Sequence, residues 1–221
     1  MNKELRFKQT EDQKVYFVSD LHWNHNPIRW TTPLWKSRGY NDVNEMNDDI
    51  ISQINTHVRP NDILWNLGDI TLNCTESQFN ELLSRINCQN IFTIWGNHNN
   101  PAWSVYQREV KSALQNVFSD DREIYPFRYR NLVFYGNYQE ISVDGQMIIL
   151  NHYPVYVYNY MKDGAWHLCG HSHYNLPLSQ GDNINSKILD VGWEGLKRPY
   201  SMDDIRLIMN KKNVLKVDHH A

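Results

Sequence analysis

Aspartate, histidine and asparagine fall into five short groups along this chain. They are Asp20-Leu21-His22, Gly68-Asp69, Gly96-Asn97-His98, His152 within Asn151-His152-Tyr153-Pro154, and Gly170-His171-Ser172-His173. Imidazoles, carboxylates and an amide oxygen are ligands for divalent transition metals. A pair of such metals suits displacement at phosphorus: it acidifies a shared water and neutralises phosphoryl oxygens. Asp20 and Asp69 bring two negative charges against four from two such ions. The centre therefore keeps a positive excess that attracts phosphate.

Residues so far apart meet only if the fold brings them to one place. Most of the groups follow a short apolar run, and strand ends at one sheet edge can aim side chains at a common point. Val15–Ser19, Asp62–Leu67 and Ile91–Trp95 read as strands ending just before Asp20, Gly68 and Gly96. Between them, Met46, Ile50, Ile51 and Ile54 mark an amphipathic helix over Val43–His57, and Thr75 caps a second helix over Thr75–Ile86. A third helix is expected within 102–117.

The second half reads as short strands: Glu123–Phe127, Leu132–Tyr135, Glu140–Val143, Met147–Leu150, Ala165–Cys169 and Lys187–Val191. Asp144-Gly145 is a hairpin turn. Ile205–Met209 and Val214–Val217 read as a terminal hairpin, with a short helix over Ser201–Met209 as the alternative. Alternating β and α in front implies a parallel sheet, and the back half adds antiparallel strands. The expected fold is α/β, two mixed β-sheets packed as a sandwich flanked by helices. A single domain over 1–221 is expected, with 1–14 as an N-terminal extension and 218–221 as a frayed tail.

The chain has 221 residues and a net charge of -3, with no basic stripe or tail of the kind that announces nucleic acid. No run is apolar and long enough to span a membrane, and the N-terminus lacks the apolar core of a signal peptide. Cys74, Cys88 and Cys169 are too few and scattered for a disulfide framework, and a reducing cytoplasm is the simplest setting.

The ordered motifs resemble the calcineurin-like metallophosphoesterase superfamily over Tyr16–His173. The surrounding context, Glu45-Met46-Asn47 and Asp190-Val191-Gly192-Trp193 included, is similar to a branch of small bacterial and phage phosphoesterases. The resemblance implies that Asp20, His22 and His173 hold one metal. It gives the other to Asn97, His152 and His171, with Asp69 bridging. It implies that His98 binds no metal and acts on substrate as acid or charge stabiliser, with a metal-bridging hydroxide as nucleophile. The metals are two divalent transition ions: Mn first, with Fe, Zn or Ni as alternatives.

Many relatives carry an acid directly after Gly-Asn-His, where this chain has Asn99. An amide there can orient His98 but brings no charge, so weaker acid/base help and a shifted pH optimum are expected.

The long loop Trp23–Tyr40 supplies further candidates. His25 reaches either substrate or solvent. Arg38, ahead of Arg29, is the candidate phosphate clamp. Trp23, Trp30, Trp35 and Tyr40 form either a wall for a base or the loop's own core. The expected activity is hydrolysis of a small phosphate ester, such as a nucleotide or cyclic nucleotide. A nuclease is the competing enzyme reading, and a non-catalytic phosphate-binding module the competitor from another class.

Overall fold

Alternate residues of single strands go to different cores, as the two-residue period of an extended chain requires. Val15 and Phe17 join one apolar cluster and Val18 another; Ile63 and Trp65 join the first, Leu64 the second. Such strands must be covered on both faces. The computed structural model, which describes residues 4–27, 32–111 and 125–215, meets this need with two stacked sheets and outer helices.

In chain order the elements are β1 (Leu5–Phe7), β2 (Val15–Val18), α1 (Leu34–Ser37), α2 (Val43–His57), β3 (Ile63–Asn66), α3 (Glu76–Ser84), β4 (Asn90–Thr93) and α4 (Ala102–Tyr106). Then come β5 (Phe127–Tyr129), β6 (Leu132–Phe134), β7 (Tyr138–Val143), β8 (Gln146–Asn151), β9 (Trp166–Cys169), β10 (Ile188–Asp190), α5 (Trp193–Leu196), β11 (Tyr200–Ser201) and α6 (Met202–Met209).

One sheet runs β11-β2-β3-β4-β6-β5, with β2, β3, β4 and β6 parallel and both edges antiparallel. The other runs β1-β7-β8-β9-β10, parallel except at the β7–β8 hairpin. Between the sheets, Phe17, Trp65 and Ile94 meet Ile148, Leu150, Leu168 and Leu189. Outside the first sheet, α2 and α3 lay Met46, Ile50, Ile54, Phe79 and Leu83 on Leu64 and Ile91. These are the apolar stripes read from the sequence.

Helix α2 covers the expected residues, its first turn capped by Asp42, whose carboxylate accepts from Asn44 and Glu45 N–H. Thr75 caps α3 in a capping box with Gln78. The Asp144-Gly145 turn joins β7 to β8. Helix α4 passes into a π-helical turn at Gln107–Lys111, and the rest of the expected third helix lies outside the described residues.

Three expectations are corrected. The terminal hairpin is absent: 202–209 form α6, because Ser201 and Asp204 make a capping box and Met202, Ile205 and Met209 bury one helical face. Within Trp23–Tyr40, residues 34–37 form a helical turn. Within 1–14, Leu5–Phe7 pairs with β7 as an edge strand, a pairing with a partner about 136 positions away that local pattern cannot announce. Residues 218–221 lie outside the described residues.

The α6 cap also titrates. Asp204 accepts from Arg198 at 2.8 and 2.9 Å and from the Ser201 N–H and hydroxyl at 2.9 and 2.7 Å. The Arg198 hydrogen bonds first, and Ser201 next, hold its carboxyl down at about 2, against 3.8 when free. A depressed folded pKa gives stability that is present above pH 3.8 and lost as pH falls toward 2. Asp204→Asn should therefore destabilise by about 1–2 kcal/mol at neutral pH, counting cap and solvent-screened ion pair. In urea unfolding, its gap to wild type should close as pH falls through that window.

Candidate metal centre

Parallel β2, β3 and β4 end at the same edge of their sheet, and Asp20, Asp69 and Asn97 lie just past those ends. Parallel β8 and β9 end likewise in the other sheet, followed by His152 and His171. The chain must turn sharply there. Asp20, His22, Asp69, His171 and His173 all adopt left-handed φ, between 47° and 66°. Non-glycine residues seldom do so, and such backbones collect at functional sites.

Glycine makes the close approach possible. A Cβ on Gly96 would collide with the Asp69 carboxylate, and one on Gly170 with Ser19 and Asp20. Backbone bonds lock the loops together: Asp20 N–H donates to Gly68 O at 3.2 Å and His22 N–H to Asp69 O at 3.0 Å.

Two triads of potential ligand atoms result: Asp20, His22 and His173, and Asp69, His152 and His171. Asp69 faces both, its Oδ2 lying 3.5 Å from His22 Nε2 and its Oδ1 3.4 Å from His152 Nε2. Asn97 Oδ1 sits 3.1 Å from the same His152 nitrogen.

The donor set fits cations on two counts. His22 is buried, yet neither ring nitrogen has a hydrogen-bond partner, a costly state that a metal ligand avoids. His152 Nδ1 lies 2.8 Å from Leu67 O; donating there, a neutral ring turns its Nε2 toward the oxygens of Asp69 and Asn97, while against burial the Asp69 and Asp20 carboxylates raise its pKa. Acceptors converging on one point call for a positive charge between them.

Titration follows the same logic. Burial pushes His22 well below 6.5, despite Asp69, and so keeps it a neutral ligand. Burial pushes Asp20 up to about 7 against the pull of His152 and His173, an effect a cation would reverse. Burial also opposes charge on Asp69, but His152 and the His98 N–H bring its carboxyl down to about 2.

A layer behind the ligands was not foreseen. Glu194 Oε1 lies 2.9 Å from His173 Nδ1 and accepts from Arg38 at 2.8 Å. Burial disfavours its charge, yet His173 and Arg38 hold its carboxyl at about 2. Asp190 Oδ2 accepts from the Ser172 hydroxyl and, at 2.9 Å, from Tyr174 N–H, tying down the His171–His173 loop. The one sequence signal was position: Glu194 directly follows the Asp190–Trp193 run.

The expected substrate residues fare unevenly. Arg38 is not a free clamp: its guanidinium turns inward to Glu194 and to the carbonyls of Leu21 at 2.9 Å and Asp20 at 2.6 Å. His25 is half-buried, its Nδ1 accepting from Leu34 N–H at 3.0 Å and its ring 5.7 Å from that of His22. Asn99 donates to Gly96 O at 2.7 Å rather than to the His98 ring. The His98 ring is partly exposed, 5.6 Å from that of His22.

Trp23 is buried in the main core, and Trp35 and Tyr40 pack against that core, so these three form neither a wall nor a separate loop core. Trp30 and Arg29 lie outside the described residues. Of the tyrosines after His152, Tyr153 reaches the centre, its hydroxyl 3.4 Å from Asn97 Oδ1.

The chain is 28% identical over 209 residues to Uncharacterized protein MJ1445 of Methanocaldococcus jannaschii, covering 92% of this chain and 96% of that one. Its fold is similar to the crystal structure of AQ665, a protein of unknown function from Aquifex aeolicus. The TM-score is 0.57 at 19% identity, over 89% of this chain and 99% of that chain. The calcineurin-like phosphoesterase family pattern matches residues 13–175. With that match joined to two Asp/His clusters able to hold divalent metal, the chain belongs to the calcineurin-like phosphoesterase family and is a metal-dependent phosphoesterase.

Proposed function

We propose that this phosphoesterase hydrolyses a small phosphate ester, of the size of a nucleotide or cyclic nucleotide, at a centre of two transition-metal ions. The observation that carries the reading is the division of Asp69, one oxygen toward His22 and the other toward His152. In this reading Asp20, His22 and His173 hold one ion, Asn97, His152 and His171 the other, and Asp69 both. Bound there, two divalent ions would acidify a water and offset phosphoryl charge. Imidazole-rich ligation favours a transition metal, Mn, Fe, Zn or Ni, over Mg or Ca, and Mn is the first candidate of this reading.

The chain's own groups do the rest. Asp69 Oδ1 accepts from His98 N–H at 2.8 Å, which ties the acid/base histidine to the bridging carboxylate. His98 donates a proton to the leaving oxygen or stabilises its charge. Asp20 takes two hydrogen bonds from His171 N–H, at 3.2 and 3.0 Å, which hold the ligand loop in place.

The narrower likeness to small bacterial and phage enzymes belongs to this reading. So does a cytoplasmic setting, supported by three free thiols. No helix among the described residues is long and apolar enough to cross a membrane.

His98→Ala tests the proposal. Turnover of p-nitrophenyl phosphate or bis-p-nitrophenyl phosphate should fall about 10²–10⁴-fold while two metals stay bound. Unchanged kcat in the variant would remove His98 from the chemistry.

A further inference from the structure

A cavity of about 240 Å³ opens beside the second triad, and Asn97, whose Oδ1 lies 3.1 Å from His152 Nε2, lines it. Trp95, Gly96, Asn99, Asn100, Trp103 and Asn137 complete its wall, and none of the described residues lining it is charged. A second phosphate would meet no cation there. The cavity instead suits a neutral group that lies on an aromatic face and hydrogen-bonds to amides.

Two features sharpen this. Trp103 is partly exposed and rigidly held, 5.0 Å edge-on to Trp95 and 5.3 Å stacked on Tyr106. Asn99 is 6% exposed; its amide nitrogen is engaged by Gly96 O, while its Oδ1 is buried with no partner. On the same wall the exposed amides of Asn100 and Asn137 can meet an N–H or O–H donor. Nucleobases combine a π face with N–H donors, whereas a phenyl ring offers the face alone.

We infer that this cavity is a subsite for the nucleobase of a nucleotide ester whose phosphate lies on the metal pair. The inference rests on the two-metal reading and narrows its substrate to nucleotides.

Calorimetry on the Mn-loaded protein tests it, with AMP, CMP, GMP and UMP against ribose 5-phosphate and phenyl phosphate. At least one nucleotide should bind about tenfold tighter than both controls, the scale of one stacked base. Trp103→Leu should erase the preference. Should that variant fail to fold, Asn137→Leu at an exposed position should cut it about threefold, the scale of one hydrogen bond. Equal affinity for nucleotides and controls in wild type would overturn the subsite and leave the metal reading intact. No binding of any phosphate ester would overturn both.

Discussion

Asp69→Asn should remove nearly all turnover, about a thousandfold or more, equivalent to at least about 4 kcal/mol of barrier. The cause is geometric. Asp69 is the residue whose two oxygens face histidines of both triads, at 3.5 and 3.4 Å. An amide of the same shape keeps the fold but puts an NH₂ where a lone pair is needed and removes one negative charge from a site that would hold divalent ions. Metal analysis should show fewer than two ions per chain, and the metal-free variant should also unfold earlier at neutral pH, having lost a carboxylate that His152 and the His98 N–H hold at about 2. If the variant kept both ions and its rate, Asp69 would not be the bridge.

Glu194→Gln is the second large effect, and it acts at a distance. His173 leaves its Nε2 lone pair free because its Nδ1–H donates to Glu194 at 2.9 Å, and Arg38 pins that carboxylate at 2.8 Å while holding the Asp20 and Leu21 carbonyls. A carboxylate behind a ligand histidine fixes its tautomer and raises its basicity; its loss weakens metal binding about 10–100-fold. Titration calorimetry with Mn should show one of two sites weakened and the other unchanged. Glu194→Gln also leaves the buried Arg38 cation without its counter-charge, so the variant should be less stable as well. Two unaltered metal sites would reduce Glu194 to a structural ion pair.

What could be read from the sequence, and what could not, follows the range of the interactions. Helix α2 was visible because its stripe and its Asp42 cap are local. The two Asp/His clusters were legible because most of the motifs follow an apolar run, so order along the chain maps onto position at a sheet edge.

Arg38 was misread because its partner is 156 positions away, and nothing local distinguishes an inward guanidinium from a phosphate clamp. Glu194 was overlooked for the same reason. The short β1 was hidden because its pairing is set by β7, and the α6 region was ambiguous because so short a mostly apolar stretch, Ile205–Met209, fits either period. Trp23 was read as loop because Pro27 and Pro33 follow it, yet it lies in the core, its backbone bridged to Thr71 beyond the end of β3.

The most direct measurement is metal-dependent hydrolysis by protein stripped of metal and then reloaded. Bound ions per chain would be counted beside the rates for p-nitrophenyl phosphate and bis-p-nitrophenyl phosphate, with Mn, Zn, Ni or Mg added back. A two-metal centre built on Asp69 requires negligible turnover when stripped and recovery as the second ion binds. Full activity in the stripped protein, or full recovery with one ion per chain, would contradict it.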